Sequence, residues 1–279
     1  MGSFLLKVAV LTFSNTPNIG DNIQTLAVAQ HIDQDYEYVD RDFLSEYDGE
    51  PCAVVMNGWF SHEPQNWPPS QKIHPIFFGF HMTPETAVHY EAQKDYFKKY
   101  EPIGCRDQAT ADYIRAWGVE SYVSGCATMT FPRRLKEPDQ PLLMLVDQTH
   151  KHFLREERRG YIAISQVVPS YMSADTKFQI ARELLDYYRD HAGAVITSRI
   201  HCAMPCAAMG IPVVYTGIRE GRTAVVNTIG ISNVSTRRFP RTRLASLNLK
   251  VIDFEEKKRE IIKDLHSRLQ KLGIKTKNP

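Results

Sequence analysis

The chain of 279 residues contains no Cys-x-x-Cys pair, no strong excess of either charge, and no apolar run of the roughly 18 residues that a membrane-spanning helix requires. Each absence closes a class. The five cysteines, Cys52, Cys105, Cys126, Cys202 and Cys206, are scattered and odd in number. That pattern argues for reduced thiols in small-residue packing, against a disulfide framework or a zinc ribbon. Cys202 and Cys206 lie four apart on one helix face, and packing is expected there over a metal or redox pair. Net charge is +2, from 34 basic and 32 acidic residues, so no overall field points to nucleic acid. The opening "MGSFLLKVAVLTF" is interrupted by Lys7 and followed by no small-residue cleavage site, so it reads as a core strand. It also lacks the Ser or Thr that a myristoylation signal carries at its sixth position. The expected location is the cytoplasm. No Gly-Lys-Ser/Thr follows a glycine-rich turn, so there is no Walker loop, and no GxGxxG fingerprint occurs. Internal repeats and low-complexity tracts are absent too.

What the chain does have is alternation. Apolar, β-branched runs such as "KVAVLTF", "PCAVVMNGW", "IFFGF", "LLMLVD", "GYIAISQVV" and "AVIT" recur between stretches with helical spacing. "TPETAVHYEAQKDYFKKY" has Thr83 as N-cap and Pro84 at the first helical position. "DQATADYIRAWG" stops at Gly118. A long helix is expected from about Ser173 to His191. The last element places Phe254, Ile261, Ile262, Leu265, Leu269 and Leu272 on one stripe of a helix ending at Gly273. Alternation of this kind predicts parallel sheets flanked by helices. The proline-rich "FPRRLKEPDQP", Phe131 to Pro141, is the linker candidate. The domain reading is residues 1–134, residues 135–253, and a C-terminal helix and tail from residue 254 to 279 that packs back on the first domain.

Ligands of parallel sheets bind where strands turn into helices, and polar residues collect at several such junctions. "SNTPNIGDNIQ" follows the first strand. Gly20 there permits close backbone approach or a positive φ, and Asp21 can cap the helix; a capped turn without a ligand is the equal alternative. "NGWFSHEPQNWPP" offers Asn57, Gly58, Trp59, His62 and Trp67, an aromatic loop that covers either a sugar face or a core. "FFGFHM" ends on His81, and "IGCRD" on Arg106 and Asp107. In "ITSRIHC", Arg199 and His201 stand at the start of a helix, whose N-terminus carries backbone N–H donors and a positive partial charge. Together they favour an anion site. The alternative is an Arg199 paired to a carboxylate with His201 packed, and "AMPCAAMG" offers no acidic partner for that.

"NIGDNIQTLA", "GCRDQAT", "SGCATMTF" and "ITSRIHCAMPCAAMGIPVVY", in this order, resemble the polysaccharide pyruvyltransferase family from about residue 7 to 250. Gly125 and Cys126 stand where many members carry an Asp-Pro pair. The resemblance implies an α/β fold of two Rossmann-like domains facing across a cleft, as in B-type glycosyltransferases. It implies transfer of a pyruvyl group from phosphoenolpyruvate to a sugar diol, forming a ketal. The partners implied are phosphoenolpyruvate as co-substrate and a glycan or glycolipid acceptor, with no cofactor, no metal and no nucleic acid. In that chemistry Arg199, His201, Ser198 and Arg106 bind the donor. His201 is the general acid or phosphate ligand, and Asp21 the base or an acceptor ligand. Asn18, Asn57, Trp59 and His81 face the acceptor. Ser198 is expected to cap the helix. Two other readings stay open: a nucleotide-sugar glycosyltransferase on the same fold, for which only Glu220 offers a ribose ligand, and a non-catalytic anion- or glycan-binding protein. The loop "STRRFPRTR", with Arg237, Arg238, Arg241 and Arg243, is either a solvated turn or a cationic rim that meets a pyrophosphate-linked acceptor or the anionic inner face of the membrane.

Overall fold

The computed structural model describes residues 6–147, 160–218, 220–233 and 249–279. The basic loop with Arg237 to Arg243 lies outside the described residues. The chain is mixed α/β, with every sheet parallel. It divides into two compact units. The first comprises Met1–Asn15, Gln24–Ala127 and Arg259–Pro279, the second Thr16–Ile23 and Thr128–Lys258.

In the first unit, β1 (Lys7–Thr12), β2 (Tyr36–Asp40), β3 (Cys52–Val55) and β5 (Ile73–Ile76) form a sheet ordered β2-β1-β3-β5. A second sheet, ordered β4-β6-β7-β8, is made from β4 (Gly58–Trp59), β6 (Phe80–His81), β7 (Ile103–Cys105) and β8 (Ser121–Val123). β4 continues the path of β3, and β6 that of β5. Met56 N donates to Ile76 O at 2.9 Å and Gly58 N to Gly79 O at 3.3 Å, so pairing carries through the bend. Gly79 sits at φ 70°, a left-handed conformation that glycine adopts without steric cost. The core of this unit is aromatic: buried Trp67 stacks on Tyr90 at 4.8 Å and on Phe97 at 5.4 Å. Trp67 therefore lids a core, one of the two roles open to the aromatic loop. α2 (Pro84–Tyr90) is capped by Thr83, whose side chain accepts from Thr86 N. The single helix expected through Tyr100 is broken here; after a short 3-10 stretch α3 (Lys94–Lys99) follows, so that Phe97 turns into the core. α4 (Gln108–Ala116) is capped by Asp107 and stopped near Gly118, at φ 78°.

In the second unit, β9 (Leu142–Val146), β10 (Tyr161–Ile164), β11 (Ala192–Thr197), β12 (Val213–Tyr215) and β13 (Ser232–Asn233) are ordered β10-β9-β11-β12-β13. The first strand of this sheet is flanked by the second on one side and the third on the other, so the winding direction reverses between β9 and β11. α5 (Ala174–His191) connects β10 to β11, and α6 (Ile200–Ala208) connects β11 to β12. Small residues on α6 let it lie close: Cys202, Ala203, Met204 and Cys206 are fully buried. All five cysteines are buried free thiols, and burial pushes the Cys206 thiol above its ordinary range.

Two features depart from the expected boundaries. The proline-rich segment is packed, not a free linker. Arg134 is buried, donating from its backbone to Met209 O at 3.0 Å and from Nη1 to Ala192 O at 2.6 Å. Its polar atoms find carbonyls of the second unit, so the change of unit falls at Ala127/Thr128. Thr16–Ile23, expected in the first domain, belongs to the second unit. It is held by Ile19 N to Gln166 O at 2.9 Å and Val168 N to Pro17 O at 2.8 Å. α1 (Ile19–Ala29) thus begins in one unit and ends in the other.

α7 (Glu255–Lys271) buries Ile261, Leu265 and Leu269 of the expected stripe. From Arg259 onward it belongs to the first unit, where Arg268 lies 4.9 Å from the Tyr122 ring centroid and Nδ1 of His31 meets Nε2 of His266 at 3.0 Å. Gly273, at φ 76°, turns the tail so that Thr276 bridges Ile32.

Candidate active site

The winding direction of the second unit reverses between β9 and β11, and open parallel sheets take ligands beyond the carboxyl ends of their strands at such a reversal. Asp147 follows β9, and Ser198 and Arg199 follow β11. Arg199 Nε donates to Asp147 Oδ2 at 2.8 Å. The carboxylate that the sequence reading found missing for Arg199 is therefore present, supplied from 52 residues earlier. That corrects one premise, yet Arg199 is not buried away: its side chain is 33 % exposed, against 13 % for Asp147. The pair engages Nε alone, edge-on, and among the described residues Nη1 and Nη2 carry no hydrogen bond. A guanidinium oriented from behind with both Nη groups open can grip a planar or tetrahedral anion in bidentate fashion.

Asp147 is the hub. Its Oδ1 accepts from Ser165 Oγ at 2.7 Å, its Oδ2 from Gln166 N at 3.1 Å, and its carbonyl from Ser198 Oγ at 3.4 Å. Ser198 therefore does not cap α6. Arg199 occupies the cap position without a side-chain cap bond. Asp147 itself has φ 52°, a conformation Asp tolerates better than most residues but which still costs on the order of 1 kcal/mol. The four surrounding hydrogen bonds over-determine it.

The loop after β1 closes on the same place. Asn18 caps α1 by accepting from Gly20 N at 3.2 Å, and Asp21, buried in the first turn, accepts from Thr16 Oγ1 at 3.1 Å. The cap is thus Asn18, where Asp21 was expected. Gly20 serves close approach: a Cβ there would lie 3.1 Å from the His201 Cβ and 3.3 Å from its Nδ1. His201 is nearly buried, at a non-helical point of α6, φ −86° and ψ 16°. Its carbonyl accepts from Gln166 Nε2 at 3.3 Å. Asn18, Gly20, Asp21, Asp147, Ser198, Arg199 and His201 are thus gathered in one unit. Asp147 was missed by the sequence reading; the available signal was an acidic residue directly after the apolar strand "LLMLV".

The other candidates belong to the first unit. Asn57 is buried and its amide is committed to backbone, Nδ2 to Gln24 O and Oδ1 from Ala127 N, both at 3.3 Å. Its placement is that of a strut, in place of the acceptor contact expected. His81 is also buried, with Nδ1 at 2.6 Å from Asp107 Oδ2. Burial opposes ionisation of Asp107, but the bonds from His81 and the Thr110 backbone outweigh it and hold the carboxyl below its ordinary range. Arg106 is buried beside it, and Trp59 is half-buried. A cavity of about 590 Å³ lined by Arg134 to Gln140 and Arg189 to His191 lies at the amino ends of β9 and β11, the opposite edge from Arg199. Among the described residues no group of three or more His, Cys, Asp or Glu is placed to hold a metal ion, and no helix is long and apolar enough to cross a membrane.

A family model described as polysaccharide pyruvyl transferase matches residues 18–218, a span that includes every residue gathered around Asp147. No curated protein matches the chain. Among solved structures, a functionally uncharacterised protein from Klebsiella pneumoniae is similar at 15 % identity and a TM-score of 0.49, over 86 % of this chain and 93 % of that one. A UDP-N-acetylglucosamine 2-epimerase is similar at 11 % identity and a TM-score of 0.43, over 98 % of this chain and 92 % of that one.

Proposed function

The chain belongs to the polysaccharide pyruvyl transferase family and is a transferase, and from that premise we propose that it moves the pyruvyl group of phosphoenolpyruvate onto two hydroxyls of a surface-polysaccharide sugar or its precursor. The observation that carries the reading is Arg199, anchored by Asp147 through Nε with its Nη groups open. The donor brings a phosphate and a carboxylate, and each suits a guanidinium fork. Arg199 and the first turn of α6 hold the anion, with Ser198 beside it. His201, packed against Gly20, delivers a proton to the methylene carbon. Asn18, Asp21 and Trp59 serve the acceptor. Arg106, Asn57 and His81, buried inside the first unit, have no part in this scheme. The B-type arrangement of two Rossmann-like domains facing across a cleft belongs to this proposal, as does action in the cytoplasm at the inner face of the membrane. Phosphoenolpyruvate is a co-substrate, and no cofactor enters the scheme.

Phosphate release from phosphoenolpyruvate, measured against a panel of lipid-linked and free glycans, tests the proposal. Acceptor-dependent release, lost in Arg199→Ala, is the expected result. Binding of phosphoenolpyruvate with no turnover on any acceptor would instead identify a non-catalytic anion-binding protein, and turnover of a nucleotide-sugar a glycosyltransferase.

A further inference from the structure

A carbonyl in the interior of an α-helix accepts from the N–H four residues on. His201 in α6 is denied that partner by the sequence. Four residues on stands Pro205, which has no N–H and whose ring crowds the carbonyl four residues before it. The helix accommodates this by turning one residue: His201 has ψ 16°, rotated by roughly 60° from the helical value of about −42°. The displaced carbonyl finds another donor. Gln166, fully buried just beyond β10, reaches it from Nε2 at 3.3 Å, and the same amide nitrogen donates to Tyr188 Oη at 3.4 Å. A carbonyl only accepts, so the orientation of the Gln166 amide is fixed by chemistry. The backbone of Gln166 reaches two other parts of the site. Its N–H donates at 3.1 Å to Asp147 Oδ2, the oxygen that also holds Arg199 Nε. Its carbonyl accepts from Ile19 N at 2.9 Å, directly before Gly20. All of these residues lie in the second unit.

We propose that Pro205 and Gln166 together position His201: the proline frees its carbonyl from the helix and the glutamine catches it, so that the imidazole is held against Gly20 at the start of α1. The bearing on turnover rests on the pyruvyl-transfer reading, in which His201 delivers the proton; the backbone geometry does not. A turn about the backbone of a residue re-aims its Cα–Cβ bond relative to the helix that follows. The fit at Gly20 leaves little slack, since a Cβ there would lie 3.1 Å from the His201 Cβ and 3.3 Å from its Nδ1. Both residues act through His201 and are positioning residues. The arrangement also separates binding from turnover. Asp147, and through it Arg199, is held by the backbone N–H of Gln166, which is the same whatever side chain stands at 166. His201 depends on the side chain. Substitution at 166 or 205 therefore moves the proton donor while the anion grip stays in place.

Pro205→Ala tests this, because it returns the missing N–H and lets the His201 carbonyl pass back into the helix. The melting temperature should hold or rise, since proline is the poorest residue in a helix interior. The kcat of acceptor-dependent phosphate release should nevertheless fall about 10- to 100-fold, with phosphoenolpyruvate affinity within about threefold of wild type. A residue with only a structural role would not lose rate while keeping stability. Gln166→Met keeps the shape and removes the donor, and should lower both melting temperature and kcat. In the double variant Gln166→Met with Pro205→Ala the carbonyl again has a donor, so the melting temperature should recover above that of Gln166→Met while kcat stays low. A readout independent of activity follows the His201 ring resonances, assigned by their loss in His201→Gln; they should shift in Pro205→Ala. If the wild-type protein shows no acceptor-dependent phosphate release, the transfer reading falls, and the resonances and the double-variant recovery decide the positioning alone. Unmoved His201 resonances in Pro205→Ala, no recovery in the double variant, or a wild-type rate in Pro205→Ala overturns the inference and leaves the transfer reading standing.

Discussion

Lowering the pH from 7 to 5 should destabilise the first unit by about 2 kcal/mol through a single residue, His31. Its ring is fully buried between α1 and the C-terminal tail, Nδ1 at 3.0 Å from His266 Nε2. Burial first, and the neighbouring His266 second, depress its pKa from 6.5 to about 3. The folded state therefore refuses a proton that the unfolded chain accepts. Stability from this source is fully present above about pH 6.5 and is lost as pH falls below it, down to the folded value. Each pKa unit is worth about 1.36 kcal/mol; between pH 7 and pH 5 roughly one and a half of those units are spent, hence the ~2 kcal/mol. His266 and His74, also depressed by burial, add in the same direction, so the comparison that isolates His31 is wild type against His31→Asn. Urea unfolding followed by tryptophan fluorescence is the assay, because Trp59, Trp67 and Trp117 all lie in the first unit. The variant should be weaker at pH 7, and its loss between pH 7 and 5 should be smaller than wild type by about 2 kcal/mol. An identical pH slope in the two proteins would refute the assignment of a buried neutral imidazole.

Other outcomes follow from the geometry around Asp147. Arg199→Ala should weaken phosphoenolpyruvate binding by roughly 10- to 100-fold in titration calorimetry, the loss of a charge-assisted contact of about 1.5–3 kcal/mol. His201→Gln should retain donor binding yet lower kcat by about 10²- to 10⁴-fold; wild-type turnover would leave His201 a ligand only. Gly20→Ala places a Cβ 3.1 Å from both Asn18 Oδ1 and the His201 Cβ, so it should cut kcat by on the order of tenfold or more through displacement of His201, with little change in melting temperature. Gly79→Ala should cost the first unit at least about 1–2 kcal/mol in urea unfolding, from the left-handed φ of 70°, and more from the clash of the added Cβ with Asn57 Oδ1.

Much of this was readable before any coordinates. Period and β-branching marked the long strands, Thr83-Pro84 and Gly118 marked helix ends, and the junction of β11 with α6 announced Arg199 and His201. These are local signals. What escaped was non-local. Asp147 meets Arg199 only because β9 and β11 are neighbours in a parallel sheet, which no spacing rule encodes. Phe131 to Pro141 has the composition of a linker, but Arg134 finds two carbonyls of the second unit and pins it down. Ser198 has the right chemistry for a cap and spends it on the Asp147 carbonyl instead. The break after Tyr90 has no proline or glycine to mark it; it follows from turning Phe97 under Trp67.

The exchange of segments between the units sets an order of assembly. On a ribosome, Thr16–Ile23 emerges early and waits for β9 to β13, and the second unit is fully synthesised once Lys258 has left the tunnel. The first unit, although most of its strands are made first, still lacks Arg259–Pro279 at that moment. Leu265 and Leu269, both fully buried, leave apolar surface of the first unit uncovered until Arg259–Pro279 is made. Domains made in order usually fold in order, N-terminal first; in this chain the half encoded second is complete before the half encoded first. Loss of Arg259–Pro279 would therefore strike the N-terminal strands hardest, and spare the fold that holds Arg199.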